Sequence, residues 1–461
     1  MAEIPTIAEA AQAIAAGRLS PVELTEACLA RIESGDGRLN SFIRLTKDRA
    51  LSEARAAEAE IKAGRRRGPL HGIPFAHKDI YETAGLPTTA HSKLLQDYVP
   101  KADAVSVAKL ADAGVVMFGK LATHEFAWGG PSFDLPWPPA RNPWNPAHFP
   151  GGSSSGTGAA VAAGFVLGGT GSDTGGSIRL PSSFCGLAGI KPTYGLISRR
   201  GIQPLAFSLD HAGPMAWTVE DCAILLQAMA GHDASDPGSA KVSLPDYRSA
   251  LAGGVKGLKV GVLRHFYEKD APASDEVGAA TEASIGALNT LGAEIRDVTL
   301  PSLHDWYACG MLIMISEAYS VHEPWLKTRY NDYGELFRDR CALGAFISSA
   351  DYMAAVRMRR ELRAALAAAM RDVDVIVLPS TPTPAPRMDA MTKYGSFEVP
   401  NYTMPFNVAA TPALSLCNGF SKGGLPLSLQ ILGRPFEDAT VLRVGHTLES
   451  ATKWREQRPS L

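Results

Sequence analysis

The chain has 461 residues, 46% of them hydrophobic, and a formal net charge of −2 at pH 7. That length admits two or three average domains or one large α/β domain, with ample apolar material for a core. The near-neutral balance argues against general attraction to nucleic acid or an anionic membrane, and no apolar run is long enough to span a bilayer.

Residues 1–65 read as a helical segment. Thr6-Ile7-Ala8-Glu9 and Ser20-Pro21-Val22-Glu23 both fit the capping box, the second with proline at the first helical position. Met1-Ala2-Glu3-Ile4-Pro5 lacks the basic and apolar regions of a signal peptide. The six cysteines show no Cys-x-x-Cys spacing and read as reduced thiols, so a cytoplasmic protein is expected. A basic cluster at 62–68 reads as a solvated loop. Short buried strands are predicted at 72–76, 115–118 and 166–169, alternating with helices. Residues 157–165 read as a small-residue helix. Later strands are predicted at 258–263 and 293–298, then a long helix from about 352 to 370. Its arginines (Arg357, Arg359, Arg360, Arg363) read as a charged helix face rather than a nucleic-acid surface. Strands at 373–379 and 413–416 close the sheet. With no low-complexity linker and no repeat, the expectation is one domain over 1–461. Within it, 72–215 form the catalytic core, and 216–461 supply the remaining sheet and the pocket helices.

Two Gly/Ser loops dominate the chemistry. Gly151-Gly152-Ser153-Ser154-Ser155-Gly156 and Gly171-Ser172-Asp173-Thr174-Gly175-Gly176-Ser177-Ile178-Arg179-Leu180-Pro181-Ser182 flank the small-residue helix, and Lys78 lies upstream in Gly72-Ile73-Pro74-Phe75-Ala76-His77-Lys78-Asp79. A serine hydroxyl needs a base to take its proton, and the developing oxyanion needs preorganised donors. Thr174-Gly175-Gly176-Ser177 can supply nucleophile and donors together, so the pattern reads as a serine hydrolase whose base is a lysine. Flexible loops are the simplest alternative for such composition. A phosphate cradle would need Gly-x-x-x-x-Gly-Lys-Ser/Thr, which is absent. Gly152-Ser153-Ser154-Ser155-Gly156 matches the Gly-x-Ser-x-Gly elbow and would make Ser154 the nucleophile, but a proline-punctuated loop precedes it where the elbow needs a strand. Ser106-Val107-Ala108-Lys109 has no companion Lys-Thr-Gly and reads as chance.

The run 151–182 resembles the amidase signature at every fixed glycine and serine and at Asp173, Arg179 and Pro181. The likeness extends along nearly the whole chain, through Leu70-His71-Gly72-Ile73-Pro74, Glu125-Phe126-Ala127, Gly189-Ile190-Lys191-Pro192-Thr193-Tyr194-Gly195 and Gly424-Leu425-Pro426. It implies an α/β fold, a single large amidase-signature domain with a mixed twisted sheet covered by helices on both faces. It also implies a Ser–cisSer–Lys triad: Ser177 as nucleophile, Ser153 as relay in a cis Gly152–Ser153 peptide, and Lys78 as base. The oxyanion hole would be the N–H groups of Thr174, Gly175, Gly176 and Ser177, with Ser154, Asp173 and Arg179 in support. No metal and no cofactor enters this scheme. A lysine near its ordinary pKa of ~10.4 is protonated at neutral pH, so the scheme requires Lys78 to be buried, and Asp79 to face away or be paired elsewhere.

The signature leaves the substrate open. One branch of the family acts alone on small amides, and another is the glutaminase subunit of tRNA-dependent amidotransferases. Tyr402-Thr403-Met404-Pro405-Phe406-Asn407 is preceded by Pro400-Asn401 where that subunit carries an acid, and His124 stands where it usually carries Asp. Phe126, Trp128, Phe133 and Trp137, just before the signature, are expected to wall an apolar pocket. The expected activity is therefore hydrolysis of a small neutral aliphatic or aryl amide. The expected partners are that small molecule and, at most, a second copy of the chain. A catalytically silent binding subunit and a glutaminase subunit remain the alternatives.

Overall fold

The computed structural model describes residues 4–460. Eleven strands form one mixed sheet: β1 (Phe42–Leu45), β2 (Pro74–Lys78), β3 (Val116–Leu121), β4 (Gly168–Asp173), β5 (Ala188–Lys191), β6 (His211–Ala216), β7 (Lys259–Val262), β8 (Glu294–Asp297), β9 (Val375–Pro379), β10 (Ala413–Phe420) and β11 (Pro426–Gly433). Their order is β1-β3-β2-β4-β6-β5-β10-β11-β9-β7-β8. β2 runs parallel to β3 and β4, and β7 parallel to β8 and β9, while the strands between pair antiparallel. Successive side chains of a strand point to opposite faces. Every residue of β2, β3, β4, β6 and β11 is buried, so helices must cover the sheet on both sides. Only the edge strands β1 and β8 are substantially open to solvent.

Both expected capping boxes form. Thr6 Oγ1 accepts from Glu9 N at 3.1 Å while Glu9 Oε2 accepts from Thr6 N at 2.8 Å; Ser20 and Glu23 repeat the exchange and start the helix Pro21–Leu39. The N-terminal segment is not wholly helical, because β1 interrupts it and pairs with β3.

The strand expected at 166–169 instead begins at Gly168 and runs on to Asp173, into what composition marks as loop. Glycines are poor strand formers, but pairing with β2 on one side and β6 on the other overrides local preference. This extension matters: it carries Ser172 and Asp173 to the end of a central strand, beside Lys78 at the end of β2. Polar residues just beyond the carboxyl ends of parallel strands commonly build sites in α/β sheets.

Candidate active site

Lys78 is fully buried, and its Nζ lies 2.6 Å from Ser153 Oγ and 2.8 Å from Ser172 Oγ. Burial disfavours the ammonium and brings its pKa down from 10.5 to about 7, against the opposing pull of Asp173 and Asp210. Asp79 faces elsewhere: its Oδ2 accepts from Thr89 N at 3.0 Å, and Lys120 Nζ lies 3.4 Å from its Oδ1. Alternation along β4 turns Thr170 and Ser172 toward the lysine, Thr170 Oγ1 holding the Lys78 backbone N–H at 3.0 Å. Ser172 is a contact that motif reading missed, because composition marks this stretch as loop.

The Gly152–Ser153 peptide is cis. A Cβ at Gly152 would strike the His124 imidazole, which stacks on Phe149 at 5.6 Å, so any larger residue there must displace the ring. Ser153 and Ser177 line one cavity of about 220 Å³. No side-chain hydrogen bond joins the two among the described residues; such contacts often tighten only with substrate bound. Ser154 is sealed away instead, with its Oγ accepting from Ser172 N at 3.3 Å and donating to Ser172 O at 3.4 Å.

Asp173 organises the second loop. Its carboxylate accepts from Gly176 N at 2.8 Å and Ile178 N at 3.1 Å, and from Arg179 through Nε at 3.0 Å and Nη2 at 2.8 Å. Burial opposes its charge, but Arg179, Lys191 and Asn407 together hold it well below the ordinary carboxylate range. Arg179 also donates to Gln430 Oε1 at 2.6 Å, Thr403 O at 2.9 Å and Asn407 Oδ1 at 2.6 Å. The Gly176 N–H, expected to face an oxyanion, donates instead to Asp173 Oδ1 at 2.8 Å. Arg179→Ala, which strands the Asp173 charge in the interior, is expected to destabilise the fold by about 3–5 kcal/mol, read by urea denaturation.

The aromatic wall needs correction. Of Phe126, Trp128, Phe133 and Trp137, only Trp128 lines this cavity. Phe126 has φ 43° and packs on His322 at 4.4 Å and Phe337 at 5.4 Å. Phe133 is 66% exposed, and Trp137 lies against His91 at 5.7 Å. The cavity instead holds a residue that sequence reading did not single out, Arg340 of the helix Glu335–Ala342. Arg340 is 3% exposed; its Nε donates to Lys393 O at 2.7 Å and its Nη2 donates to the same oxygen. Among the described residues no carboxylate lies within ion-pair distance of it. Burial draws its pKa down to about 10, opposed only by Tyr307 and Tyr394. No local motif signals Arg340, since only the tertiary fold brings its helix to the serines.

The Amidase family model matches residues 23–442, and the chain belongs to this amidase signature family, whose members act on amide C–N bonds. It is 40% identical to the A subunit of the glutamyl-tRNA(Gln) amidotransferase of Chloroflexus aurantiacus, over 99% of this chain and 98% of that protein. A solved structure described as a vestigial protein complex revealing the origins of an s-triazine catabolic enzyme superposes with TM-score 0.92. It is 34% identical and covers 99% of this chain and 100% of that one. The A subunit of the glutamyl-tRNA(Gln) amidotransferase of Thermotoga maritima superposes with TM-score 0.82 at 34% identity, over 97% of this chain and 94% of that one. These relatives overturn the expected partners. A lone small-molecule substrate with at most a second copy of the chain does not fit relatives that are subunits of an amidotransferase or stand in a protein complex. Among the described residues no helix is long and apolar enough to cross a membrane.

Proposed function

We propose that this chain is the amide-hydrolysing subunit of a larger assembly and acts as a glutaminase, in the manner of the amidotransferase A subunits it resembles. Its substrate would be a small primary amide that carries a carboxylate. Arg340 is the observation that carries the substrate reading. An ionised guanidinium buried without a counter-ion is unfavourable, and a substrate carboxylate in the cavity would complete the pair. This turns the reading away from a wholly neutral amide.

In the proposed cycle, neutral Lys78 accepts the Ser153 proton as Ser153 accepts that of Ser177. Ser177 Oγ then bonds to the amide carbon. The N–H groups of Thr174, Gly175 and Ser177 receive the oxyanion. The proton returns through Ser153 to the leaving nitrogen, the C–N bond breaks, and ammonia departs from an acyl-serine that water hydrolyses by the same relay.

A second reading has an observation of its own. None of the residues lining the cavity is acidic, so the α-ammonium of glutamine has no anion to meet. Asn401 stands at the cavity, with its Oδ1 accepting from Thr403 N at 3.1 Å and Met404 N at 2.8 Å. A monoamide of a dicarboxylic acid would satisfy Arg340 and need no such partner. Ammonia release from glutamine, glutaramate (glutamine without its α-amino group) and butyramide separates the cases. Preference for glutamine, or silence until a partner subunit is added, supports the amidotransferase reading. Preference for glutaramate supports the second, and equal use of butyramide would remove the carboxylate altogether. Arg340→Ala is expected to raise KM for the anionic amides by about 10- to 100-fold, with a smaller effect on butyramide.

A further inference from the structure

Glu125 takes no part in the proton relay, yet it is fully buried next to His124 in the segment that walls the cavity. Its Oε1 accepts from Ser92 Oγ at 2.6 Å. Its Oε2 accepts from the backbone N–H of Gly334 at 2.9 Å, and Gly334 is the N-cap of the helix that carries Arg340. The first N–H groups of a helix have no partner within it, so an acceptor oxygen placed there caps the helix. Asp134, farther along the same loop, accepts from Glu335 N at 2.7 Å, so two acidic side chains of one loop hold the start of one helix. The packing beneath agrees, with Trp128 edge-on to Phe337 of that helix at 6.1 Å.

The bracing works in both directions. Phe126 and Ala127 both have positive φ, a conformation that non-glycine residues keep only where their surroundings enforce it. Glu125 precedes them and anchors the stretch to Ser92 and Gly334. Beyond the helix, Arg340 grips Lys393 O, and Lys393 Nζ returns to Glu335 Oε1 at 2.5 Å, so residues 391–399 of the cavity wall hang from the same helix.

We infer that Glu125 is a positioning residue for substrate recognition: by tying the 124–128 wall to the Arg340 helix, it sets where the guanidinium stands relative to the serines. This rests on the reading of Arg340 as the carboxylate-binding group. Burial raises the Glu125 pKa to about 8, which is compatible with the role, since both hydrogen bonds can form with the carboxyl in either state.

The test is equilibrium binding of glutaramate and butyramide, by calorimetry, to the full chain carrying Ser177→Ala so that nothing turns over. Arg340→Ala, Glu125→Ala, Glu125→Gln and Ser92→Ala are added singly. Glu125→Ala is expected to weaken glutaramate at least about tenfold, leaving butyramide within about twofold. Glu125→Gln should recover most of the loss, because its amide oxygen still accepts from Gly334 N and its amide N–H can donate to Ser92 Oγ. Ser92→Ala should shift glutaramate in the same direction by less; with Glu125→Gln it carries the test if Glu125→Ala does not fold. Equal weakening of both ligands would mean a merely structural role and overturn the inference. A loss of glutaramate binding in Arg340→Ala but in none of the Glu125 or Ser92 variants would overturn it and leave the Arg340 reading standing. No loss in Arg340→Ala would overturn both.

Discussion

Ser177→Ala is expected to lower amide turnover by about 10⁴-fold or more while leaving substrate binding and thermal unfolding unchanged. The argument is local. The backbone around Ser177 is held by Asp173, which takes the N–H groups of Gly176 and Ile178, so the loop does not depend on the Ser177 hydroxyl. Removing Oγ leaves the cavity and the backbone N–H groups around it in place and deletes only the atom that would bond to the acyl carbon. Ser154→Ala is the contrasting change. That hydroxyl is buried against the Ser172 backbone at 3.3 and 3.4 Å, so its loss should appear in stability and only mildly in kcat. Single-turnover kinetics with mass spectrometry of the trapped acyl-enzyme distinguishes the two. An acyl adduct that forms normally in Ser177→Ala and vanishes in Ser154→Ala would transfer the nucleophile to Ser154.

The legible part of this site was the part written in contiguous sequence. Lys78 ends an apolar strand, Ser153 and Ser177 lie in glycine-rich loops, and Asp173 ends β4. Their proposed chemistry rests on residue type once a nucleophile, a relay and a base are required together. What stayed hidden depends on direction and on distant chain. The aromatic run before the signature was misjudged because φ 43° at Phe126 and 63° at Ala127 reverse the chain, turning Phe126 into the His322–Phe337 cluster and leaving Trp128 at the cavity. No periodicity predicts two consecutive non-glycine residues at positive φ. Arg340 lies in a short helix with no motif, and a buried cation without a carboxylate partner can be recognised only when its neighbours are known. The strand β4 failed differently: its residues are poor strand formers, and its conformation is imposed by β2 and β6 rather than by its own side chains.

Replacing Lys78 tests the base, and pH is the sharper variable. Burial brings its pKa from 10.5 to about 7, with Asp173 and Asp210 resisting, so the neutral amine that the relay needs becomes the major form only above about 7. Turnover should therefore rise as pH rises through about 7 and then level off. Lys78→Ala should lose about 10²- to 10⁴-fold at neutral pH together with that inflection. Lys78→Arg, protonated throughout, should not restore either. Stability carries an independent trace of the same group. Between about 7 and 10.5 the unfolded chain binds a proton at this lysine that the folded chain does not, so the lysine's contribution makes the fold more stable as pH rises across that window. Below about 7 the lysine is protonated in both states, its contribution stops changing, and burial of the charge opposes folding in full. Lys78→Met removes the slope because methionine fills similar space without a titrating group. Urea denaturation from pH 6 to 10 would compare the two proteins. A slope identical in wild type and Lys78→Met, or a Lys78→Ala variant with near-normal turnover and an unshifted inflection, would mean that another group accepts the Ser153 proton.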